Sequence, residues 1–414
     1  MSNDNLDLRE DLLKAIGNPF PKNSLSNSLI NLDSIEISKN GFERFMIIDI
    51  LRGISVFLSI FGISQEIFKE ENIFSFFIFS KWEGYKFIDY IPNLFIFING
   101  CCIYFSISQN KKKQSKYQLI IKTLKKFSIL FSIGLITNYL NNYNDEINLF
   151  TFNSLLYLKV TSYYSKLSII YLLNSIFFIF GMAFISLFIS ISFFIYIFFI
   201  HFHYVNFCGN NNLTPICNCA SAFDKFILSY NHMIRPCDPN GFFSILNTIY
   251  INFMGISLMY LVRGENFKKK KYGKILFLTF LISFFNIIFF IIFAFLFHIP
   301  NIYFIQTTPF IFLSSGIYVL LFFIFYFLQI QKIEFINSIL KFFECFGVNS
   351  FALMILCQIL NFIMYQTKIG NYLDKLFSYE ESPKAGSLIY AFCYLLIIGL
   401  IALILYIKKL YFKI

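Results

Sequence analysis

The sequence predicts an all-α fold, a polytopic membrane bundle of about 10 transmembrane helices. Hydrophobic residues make up 57% of the 414 positions, 60 residues are Phe, and the mean hydropathy is +0.66. This composition is typical of a membrane protein. Residues 167–200 form one long apolar run that Gly181 interrupts, so nine or eleven crossings also remain open. The ten apolar segments long enough to cross a bilayer are 45–63, 86–106, 119–138, 166–181, 183–202, 242–262, 274–297, 308–328, 348–366 and 386–407.

Clusters of lysine and arginine orient these segments. They follow the second, sixth and tenth segments, at 111–116, 263–274 and 408–413. An even number of crossings separates each cluster from the N-terminus, so all three lie on the same side as the N-terminus. The positive-inside rule makes that side cytosolic, which predicts cytosolic N- and C-termini. The net charge of +11 is therefore explained first by the orientation of the chain in the membrane, and only second by binding of an anionic lipid or ligand.

Two regions follow from this pattern. Residues 1–42 are predicted to be a flexible polar N-terminal tail, and residues 43–414 the membrane bundle, with a Cys-containing lumenal loop at 203–241. The tail shows no secretory signal peptide, so the first helix is expected to start insertion. The loop contains a glycosylation sequon at 212–214. Its cysteines, whose pairing is left open, are Cys208, Cys217, Cys219 and Cys237.

Charged side chains near the ends of apolar segments are the first candidates for function, because they are costly in a bilayer. Asp49 and Arg52 lie three residues apart on the first helix, so they share a face and predict an ion pair, either structural or in contact with a ligand. Asp89, at the lumenal end of the second helix, is either a helix cap or a ligand group. For Lys166, which starts the fourth helix, snorkelling of the amine to water is the default.

The stretch 224–255 places many polar residues around one membrane boundary. His232 and Asp238 precede an apolar helix that carries Asn247 and Asn252. A histidine near a carboxylate predicts a general base, whereas a lone loop histidine is more often simply solvated. The stretch is therefore the part of the chain in which function is most strongly expected.

Several motifs occur in order along the chain. The first helix carries Asp-x-x-Arg-Gly at 49–53, and Trp-x-Gly-x-x-x-x-Asp at 82–89 leads into the second helix, which continues with Phe-x-Phe-Ile-x-Gly at 95–100. The loop stretch 222–244 contains His232 and an Asp-Pro-Asn-Gly turn, and Gly-Val-Asn-Ser opens the ninth segment at 347–350. Together these motifs resemble the heparan-α-glucosaminide N-acetyltransferase family of multi-pass membrane proteins and its bacterial relatives.

The resemblance implies a transmembrane acyltransferase that depends on acyl-CoA. Such proteins take acetyl from cytosolic acetyl-CoA and deliver it to the amine of a sugar on the lumenal side. The implied partners are the lipid bilayer, acetyl-CoA or another acyl-CoA, and a lumenal sugar or glycolipid acceptor. A homodimer is left open, and neither nucleic acid nor metal is expected. The implied location is a lysosome-like or other endomembrane compartment.

The polar pattern and the resemblance together give eight candidate site residues. The catalytic candidates are His232 and Asp238. The ninth segment also carries Gln358 and Asn361, to which the sequence assigns no role. The candidates for substrate binding are Asp49, Arg52, Asp89, Lys166, Asn247 and Asn349.

The chain departs from the family pattern at four places. The family's catalytic His, three residues before the Trp, is Phe79 in this chain. The Asn expected at the end of the first helix is Ile63, and the acidic member of Asp-Pro-Glu-Gly is Asn240. The Gln-Arg pair that enters the fourth helix is Ser165-Lys166.

The loss of that His raises a second hypothesis. An amine must lose a proton as it attacks a thioester, so either His232 or Asp238 acts as the base in place of that His, or the acceptor and the donor differ from those of the family. The alternative is a catalytically lost relative that works as a membrane transporter or as a binding protein for a small metabolite.

Overall fold

The computed structural model describes residues 35–37, 43–65, 68, 71, 73–111, 113–141, 159–198, 213–215, 218–229, 232, 238–263, 272–331, 334–367, 369–377 and 383–412. Contacts divide the chain into two units, Met1–Phe45 and Met46–Ile414. In the first unit, β1 (Ile35–Ile37) pairs antiparallel with β2 (Glu43–Phe45). The rest of the predicted tail, 1–34 and 38–42, lies outside the described residues.

The second unit is helical throughout its described regular structure, apart from one isolated β-bridge between Glu83 and Ile302. A short 3-10 turn, Ser75–Phe77, precedes α2, and a π-helical turn, Ile292–Leu296, continues α8. The helices are α1 Met46–Gln65, α2 Phe87–Asn110, α3 Lys116–Asn141, α4 Tyr163–Phe180, α5 Met182–Ile197, α6 Cys219–Leu228, α7 Phe242–Val262, α8 Tyr272–Ile291, α9 Thr308–Gln331, α10 Glu334–Val348, α11 Ser350–Gln366, α12 Ile369–Phe377 and α13 Pro383–Ile407.

Seven helices of the described chain are long and apolar enough to cross a membrane, namely α1, α2, α4, α7, α8 with its π-helical turn, α9 and α13. An eighth candidate is a bent pair, Ser338–Val348 with Ser350–Met364, whose two halves meet at 68°. A break of this kind is either a broken span or a re-entrant loop. The chain thus has the helices of a multi-pass membrane protein.

The ten segments predicted from the sequence fall on helices where they are described, residues 199–202 of the fifth segment lying outside the described residues, but three of the ten differ from simple spans. Helix α3 begins among lysines, which lower its hydropathy. Helix α5 has 16 residues, so it is about 24 Å long and shorter than a ~30 Å hydrocarbon core. Helix α11 is one arm of the bent pair. The number of crossings and the side on which the termini lie stay predictions.

Glycines allow two helix pairs to approach until their backbones touch. A Cβ atom on Gly100 of α2 would lie 1.9 Å from the carbonyl oxygen of Asn252 in α7, and one on Gly255 would lie 2.1 Å from that of Phe97. Likewise, a Cβ on Gly53 of α1 would lie 1.8 Å from the oxygen of Phe343 in α10. Small residues at such contacts are a common device for packing membrane helices.

A buried amide network ties α2, α4 and α7 together. Asn174 Nδ2 donates to Asn252 Oδ1 at 2.7 Å, and Asn252 Nδ2 donates to the carbonyl oxygen of Ile96 at 2.8 Å and to Asn99 Oδ1 at 3.2 Å. Interhelical amide hydrogen bonds stabilise helix association in lipid, where water cannot replace them. Asn252, one of the unexplained polar residues of the sequence, therefore has a structural role.

One apolar cluster packs α1 and the bent pair against α13, through residues such as Val56, Phe346, Leu353 and Ile398. Helices α8 and α13 are strongly apolar, yet only 22% and 33% of the residues in their most apolar 18-residue stretches are buried. Their outward faces are therefore exposed apolar surface. Exposed apolar helix surface of this extent fits contact with lipid.

Candidate functional site

A cavity of about 310 Å³ lies between helices that are far apart in the sequence. Helices α1, α2, α4 and α11 contribute to its wall, together with the segments before α2, α7 and α9. Its volume is at the lower end of the range of small-molecule sites, about 300–1,000 Å³. The lining residues are Ser59, Gly62, Ile63, Phe79, Ile88, Ile91, Pro92, Phe95, Tyr163, Asn240, Tyr303, Met354 and Gln358.

Three of the four departures from the family pattern meet in this wall. Ile63, Phe79 and Asn240 are separated by up to 177 positions, from 63 to 240, yet all three line the cavity. The ring of Phe79 stacks on that of Tyr303, with centroids 5.6 Å apart and planes at 19°. The place where the resemblance puts polar chemistry is therefore mostly apolar here.

The ionisable groups in the described wall are two tyrosine hydroxyls. Tyr163 donates its hydroxyl to the carbonyl oxygen of Pro92 at 2.8 Å. Burial raises the pKa of Tyr303 above its ordinary value, with a smaller contribution from the charge of Asp89. Both hydroxyls therefore act as neutral hydrogen-bonding groups at physiological pH.

Asp89 fixes the segment that carries Phe79. Its carboxylate is fully buried, and it accepts hydrogen bonds from Ser80 N at 3.0 Å and from Ser80 Oγ at 2.5 Å. The sequence left a cap and a ligand group open for this residue. The carboxylate binds the residue next to Phe79, so Asp89 positions one wall of the cavity.

Asp89→Ala is expected to lower the free energy of unfolding by about 2 kcal/mol, because two buried donors of Ser80 lose their acceptor. Thermal unfolding in detergent, followed by the fluorescence of Trp82, the single tryptophan, would measure the loss. Glu83→Ala, at an exposed carboxylate of the same segment, is the control and should change little. Equal effects of the two substitutions would contradict the role given to Asp89.

The turn that brings Asn240 to the cavity is built around Asp238. The carboxylate of Asp238 accepts from Asn240 N at 2.8 Å and from the hydroxyl of Thr161, and its carbonyl oxygen accepts from Gly241 N at 3.0 Å. A short polar side chain that binds the backbone two residues ahead is a common way to close a turn. Asp238 is 2% exposed, so it lies behind the wall and not in it.

Lys166 joins this turn from α4. Its Nζ donates to the carbonyl oxygen of Pro239 at 3.0 Å, and the side chain is buried, so the amine does not snorkel to water as the sequence suggested. The negative charges of Asp238 and Asp224 act on it. The four residues, Lys166, Asp224, Asp238 and Pro239, are called the buried turn cluster below.

Asp224 connects the buried turn cluster to the start of α7. Its Oδ1 accepts from Phe243 N at 3.0 Å, in the first turn of that helix. The pKa of Asp224 is raised to about 7, chiefly by burial and also by the charge of Asp238, although the bond from Phe243 N and the charge of Lys166 act in the opposite direction. Asp224 and Asp238, which both belong to the stretch 224–255, are thus part of a buried polar group that supports Asn240.

Asp49 and Arg52 form the predicted ion pair at the other end of α1. Arg52 Nη1 lies 2.9 Å from Asp49 Oδ1, and it also reaches the carbonyl oxygen of Gly347 at 3.4 Å. Arg52 Nη2 donates to Cys102 Sγ at 2.8 Å. The pair links α1 to α2 and α10, and neither residue lines the cavity.

Asn247 binds the segment before α9, and Asn349 binds the chain near its C-terminus. Asn247 Nδ2 donates to the carbonyl oxygen of Gln306 at 2.6 Å, and Asn349 Oδ1 accepts from Phe412 N at 3.1 Å. Among the described residues, Asn247 Oδ1 and Asn349 Nδ2 are buried without a hydrogen-bond partner. Each therefore has one polar atom that the described residues leave without a hydrogen bond.

His232 is described singly, between 229 and 238. It is half-buried, and its backbone N–H donates to the carbonyl oxygen of Ser229 at 3.4 Å. Its role as a base stays a prediction. Cys208, Cys217 and Cys237 lie outside the described residues, so the pairing of the loop cysteines stays open. In the described part of the chain, no three His, Cys, Asp or Glu side chains are grouped to hold a metal ion.

Sequence reasoning did not single out Tyr163, Tyr303 or Met354 as lining residues. A tyrosine near a membrane boundary and a methionine in an apolar helix carry no distinguishing signal, because both are common there. Gln358 did carry one, since an amide in an apolar helix needs a partner. The signal that would place all four is spatial proximity, which a single sequence does not contain.

No protein-family model matches the chain, and no curated protein matches its sequence. The resemblance stated above therefore rests on the motifs alone, and what it implies for activity remains a proposal.

Proposed function

We propose that the chain is a transmembrane acyltransferase whose acceptor binds in the cavity described above. One observation carries the proposal. Segments that carry the motifs, namely α1, α2 with its approach, the Asp-Pro-Asn-Gly turn and α11, all contribute to a single wall, through Phe95 of the α2 motif and otherwise mainly through residues beside the motifs or at the departures from them. The donor is acetyl-CoA or another acyl-CoA, reached from the cytosolic side in a topology of about 10 crossings. The acceptor is an amine or hydroxyl on the lumenal side, of the sugar type that the resemblance implies.

The chemistry needs a base near this wall. The acceptor nitrogen or oxygen attacks the thioester carbonyl carbon, the carbon–sulfur bond breaks, and coenzyme A leaves as its thiol after taking up a proton. The proton lost by the acceptor goes to the base, for which His232 is the candidate. Asp238 is a positioning residue in this scheme, because Thr161 and the backbone of Asn240 already occupy its carboxylate.

The direct test is acyl transfer by the full-length chain in lipid nanodiscs. With labelled acetyl-CoA and glucosamine as the acceptor, His232→Ala is expected to lower transfer by at least ~100-fold, the usual contribution of a general base. His298→Ala, at a described histidine outside the cavity wall, should leave transfer unchanged. Absence of acetyl-CoA binding, or full transfer by His232→Ala, would refute the proposal.

A second candidate function is a transporter or binding protein that uses the same cavity without chemistry. The stacking of Phe79 on Tyr303 favours it, because an aromatic pair fills the position at which the resembled family has its histidine. Flux of a small metabolite into proteoliposomes in the absence of acyl-CoA would support this candidate. Acyl transfer by vesicles that show no flux would exclude it.

A further inference from the structure

Two short elements outside the membrane spans expose apolar side chains. In the segment before α2, Phe76 is 51% exposed, and Phe79 is exposed as well. On α6, Phe226 is 88% exposed, and Phe223 and Ile227 are exposed beside it, at the spacing of one helix face. Clusters of exposed apolar side chains mark contact with a partner or with a membrane.

Each of these elements is packed on the first turn of a membrane span. The ring of Phe76 stacks on that of Phe87, the first residue of α2, with centroids 4.8 Å apart. Asp224 of α6 accepts a hydrogen bond from Phe243 N at the start of α7, and the ring of Phe223 lies 5.4 Å from that of Phe243. Both elements therefore lie at the depth at which a span begins.

Helices α2 and α7 begin at the same level of the bundle. Gln306 accepts hydrogen bonds from Asn93 of α2 and from Asn247 of α7. Further along, Asn252 of α7 donates to the carbonyl oxygen of Ile96 of α2. The contacts advance in the same direction along both helices, so the helices are parallel and their starts are level. Aromatic rings at the level where spans begin lie in the interfacial layer of a bilayer.

The cavity extends inward from this level. Phe79, of the exposed segment, and Asn240, whose turn α6 supports, line its outer end. Phe95 also lines it, eight residues after the start of α2 and therefore about 12 Å deeper along that helix. Met354 lies seven residues inward of Asn361, which binds the last turn of α1.

The two ends of the cavity differ in polarity. The outer end carries the amide of Asn240 and the hydroxyl of Tyr303, whose ring stacks on Phe79. The inner end is lined by Phe95 and Met354, and the described wall holds no ionised group. The cavity is half open, with the exposed ring of Phe79 at its rim. Its wall thus has the polarity profile of one leaflet of a bilayer.

We propose that the cavity admits a membrane amphiphile from the leaflet at this level, which is the lumenal leaflet in the predicted topology. The hydrocarbon chain of the amphiphile lies along Phe95 and Met354, and its uncharged, hydroxyl-bearing head stays beside Asn240 and Tyr303. The inference rests on the proposed function in treating this cavity as the acceptor site, and it makes the acceptor a lipid and not a water-soluble sugar.

Photolabelling of the full-length chain in nanodiscs, without acyl-CoA, tests the inference. The probe is an octyl glucoside with a diazirine at the end of its chain, and labelled peptides are mapped by mass spectrometry. We expect the peptides that contain Phe95 and Met354 to be labelled. Octyl glucoside should compete at a concentration at least about tenfold lower than methyl glucoside, because burial of two methylene groups is worth about this factor.

Two variants separate the cavity from other lipid contacts. Ser59 lines the cavity from α1, so Ser59→Phe places a ring in the space of the chain and should abolish the labelling that octyl glucoside competes. Ser186→Phe adds the same ring at an exposed position of α5 outside the wall, and should leave that labelling unchanged.

The position of the exposed segment in the interface is tested separately. Trp82→Phe removes the single tryptophan, and Phe76→Trp then places one indole in the segment. We expect lipids with brominated chains to quench its fluorescence. In the parent, Trp82 donates its Nε1 hydrogen to the carbonyl oxygen of Leu213 and stacks on Phe304, so it should be quenched less.

Three results would overturn the inference. They are methyl glucoside competing as well as octyl glucoside, labelling that Ser59→Phe and Ser186→Phe leave equally strong, and an indole at position 76 that brominated lipids do not quench. If the wall is labelled as expected but no acyl group is transferred to any acceptor, the enzyme proposal fails alone. If glucosamine is acetylated but octyl glucoside does not compete, the inference fails alone.

Discussion

Gly347→Ala is expected to destabilise the protein by more than about 3 kcal/mol. A Cβ atom at this position would lie 1.7 Å from the carbonyl oxygen of Asp49 and 3.0 Å from the backbone nitrogen of Gly53. Overpacking costs about 1–3 kcal/mol where side chains can yield, but here two helix backbones must separate. Their separation would also weaken the contact of Arg52 with the Gly347 carbonyl oxygen.

The size of this effect can be separated from the ordinary effect of alanine in a helix. Gly273, in the first turn of α8, has open space around its Cβ position, so Gly273→Ala is the matched control. Because alanine favours a helix over glycine by about 1 kcal/mol, the control should unfold at the same temperature as the parent or higher. Thermal unfolding of both variants in detergent gives the comparison, and an unchanged Tm for Gly347→Ala would contradict the packing described here.

A double variant adds a second check. In Gly53→Ala, the new Cβ atom would lie against the carbonyl oxygen of Phe343, in the same contact between α1 and α10. Once either alanine has forced these helices apart, the second alanine costs less free energy. The double variant is therefore expected to lose less stability than the sum of the two single losses.

The helices were predictable from the sequence because membrane spans are long apolar runs. The segment predicted at 242–262 coincides with α7, Phe242–Val262, and that at 45–63 nearly coincides with α1. Helix α10 was not predicted, because its apolar residues alternate at helical spacing with charged ones such as Lys341 and Glu344. An amphipathic helix of this kind has no apolar run to detect.

The site was harder to predict, for a physical reason. Polar residues in apolar segments drew attention, and several of them, including Asp89, Asn252 and Lys166, hold the fold together. The cavity wall instead contains Ile63 and Phe79, which the resemblance marked as departures, but only the fold shows that they line the same wall. The local sequence indicates the free-energy cost of placing a side chain in lipid. Which groups that side chain contacts depends on the fold.

The buried turn cluster gives the second large effect, a dependence of stability on pH. Burial raises the pKa of Asp224 to about 7 in the folded protein, from an ordinary value of 3.8. The folded state therefore binds a proton more tightly than the unfolded state between these values. Stability contributed by this proton is fully present below about pH 4 and is lost as the pH rises through about 7. A difference of this size corresponds to at most about 4 kcal/mol.

Asp224→Asn should remove this dependence. The amide cannot ionise, and its oxygen can still accept from Phe243 N, the bond that the carboxylate now makes at 3.0 Å. We expect the parent to lose Tm between pH 5 and pH 8 by more than the variant does, so that the variant is the more stable of the two at pH 8. Glu83→Gln, at an exposed carboxylate, controls for the loss of a charge and should follow the parent at every pH.

The charges of Lys166 and Asp238 determine how strongly the stability of the fold depends on the ionisation of Asp224. Lys166 lowers the cost of ionising Asp224, whereas Asp238 raises it, so the balance of the two charges fixes how steeply stability falls. A parent whose Tm follows that of Asp224→Asn from pH 5 to pH 8 would show that Lys166 prevails and that Asp224 is already ionised in the fold. A fall in the parent alone would instead show that the buried turn cluster, which supports Asn240, carries a proton near neutral pH.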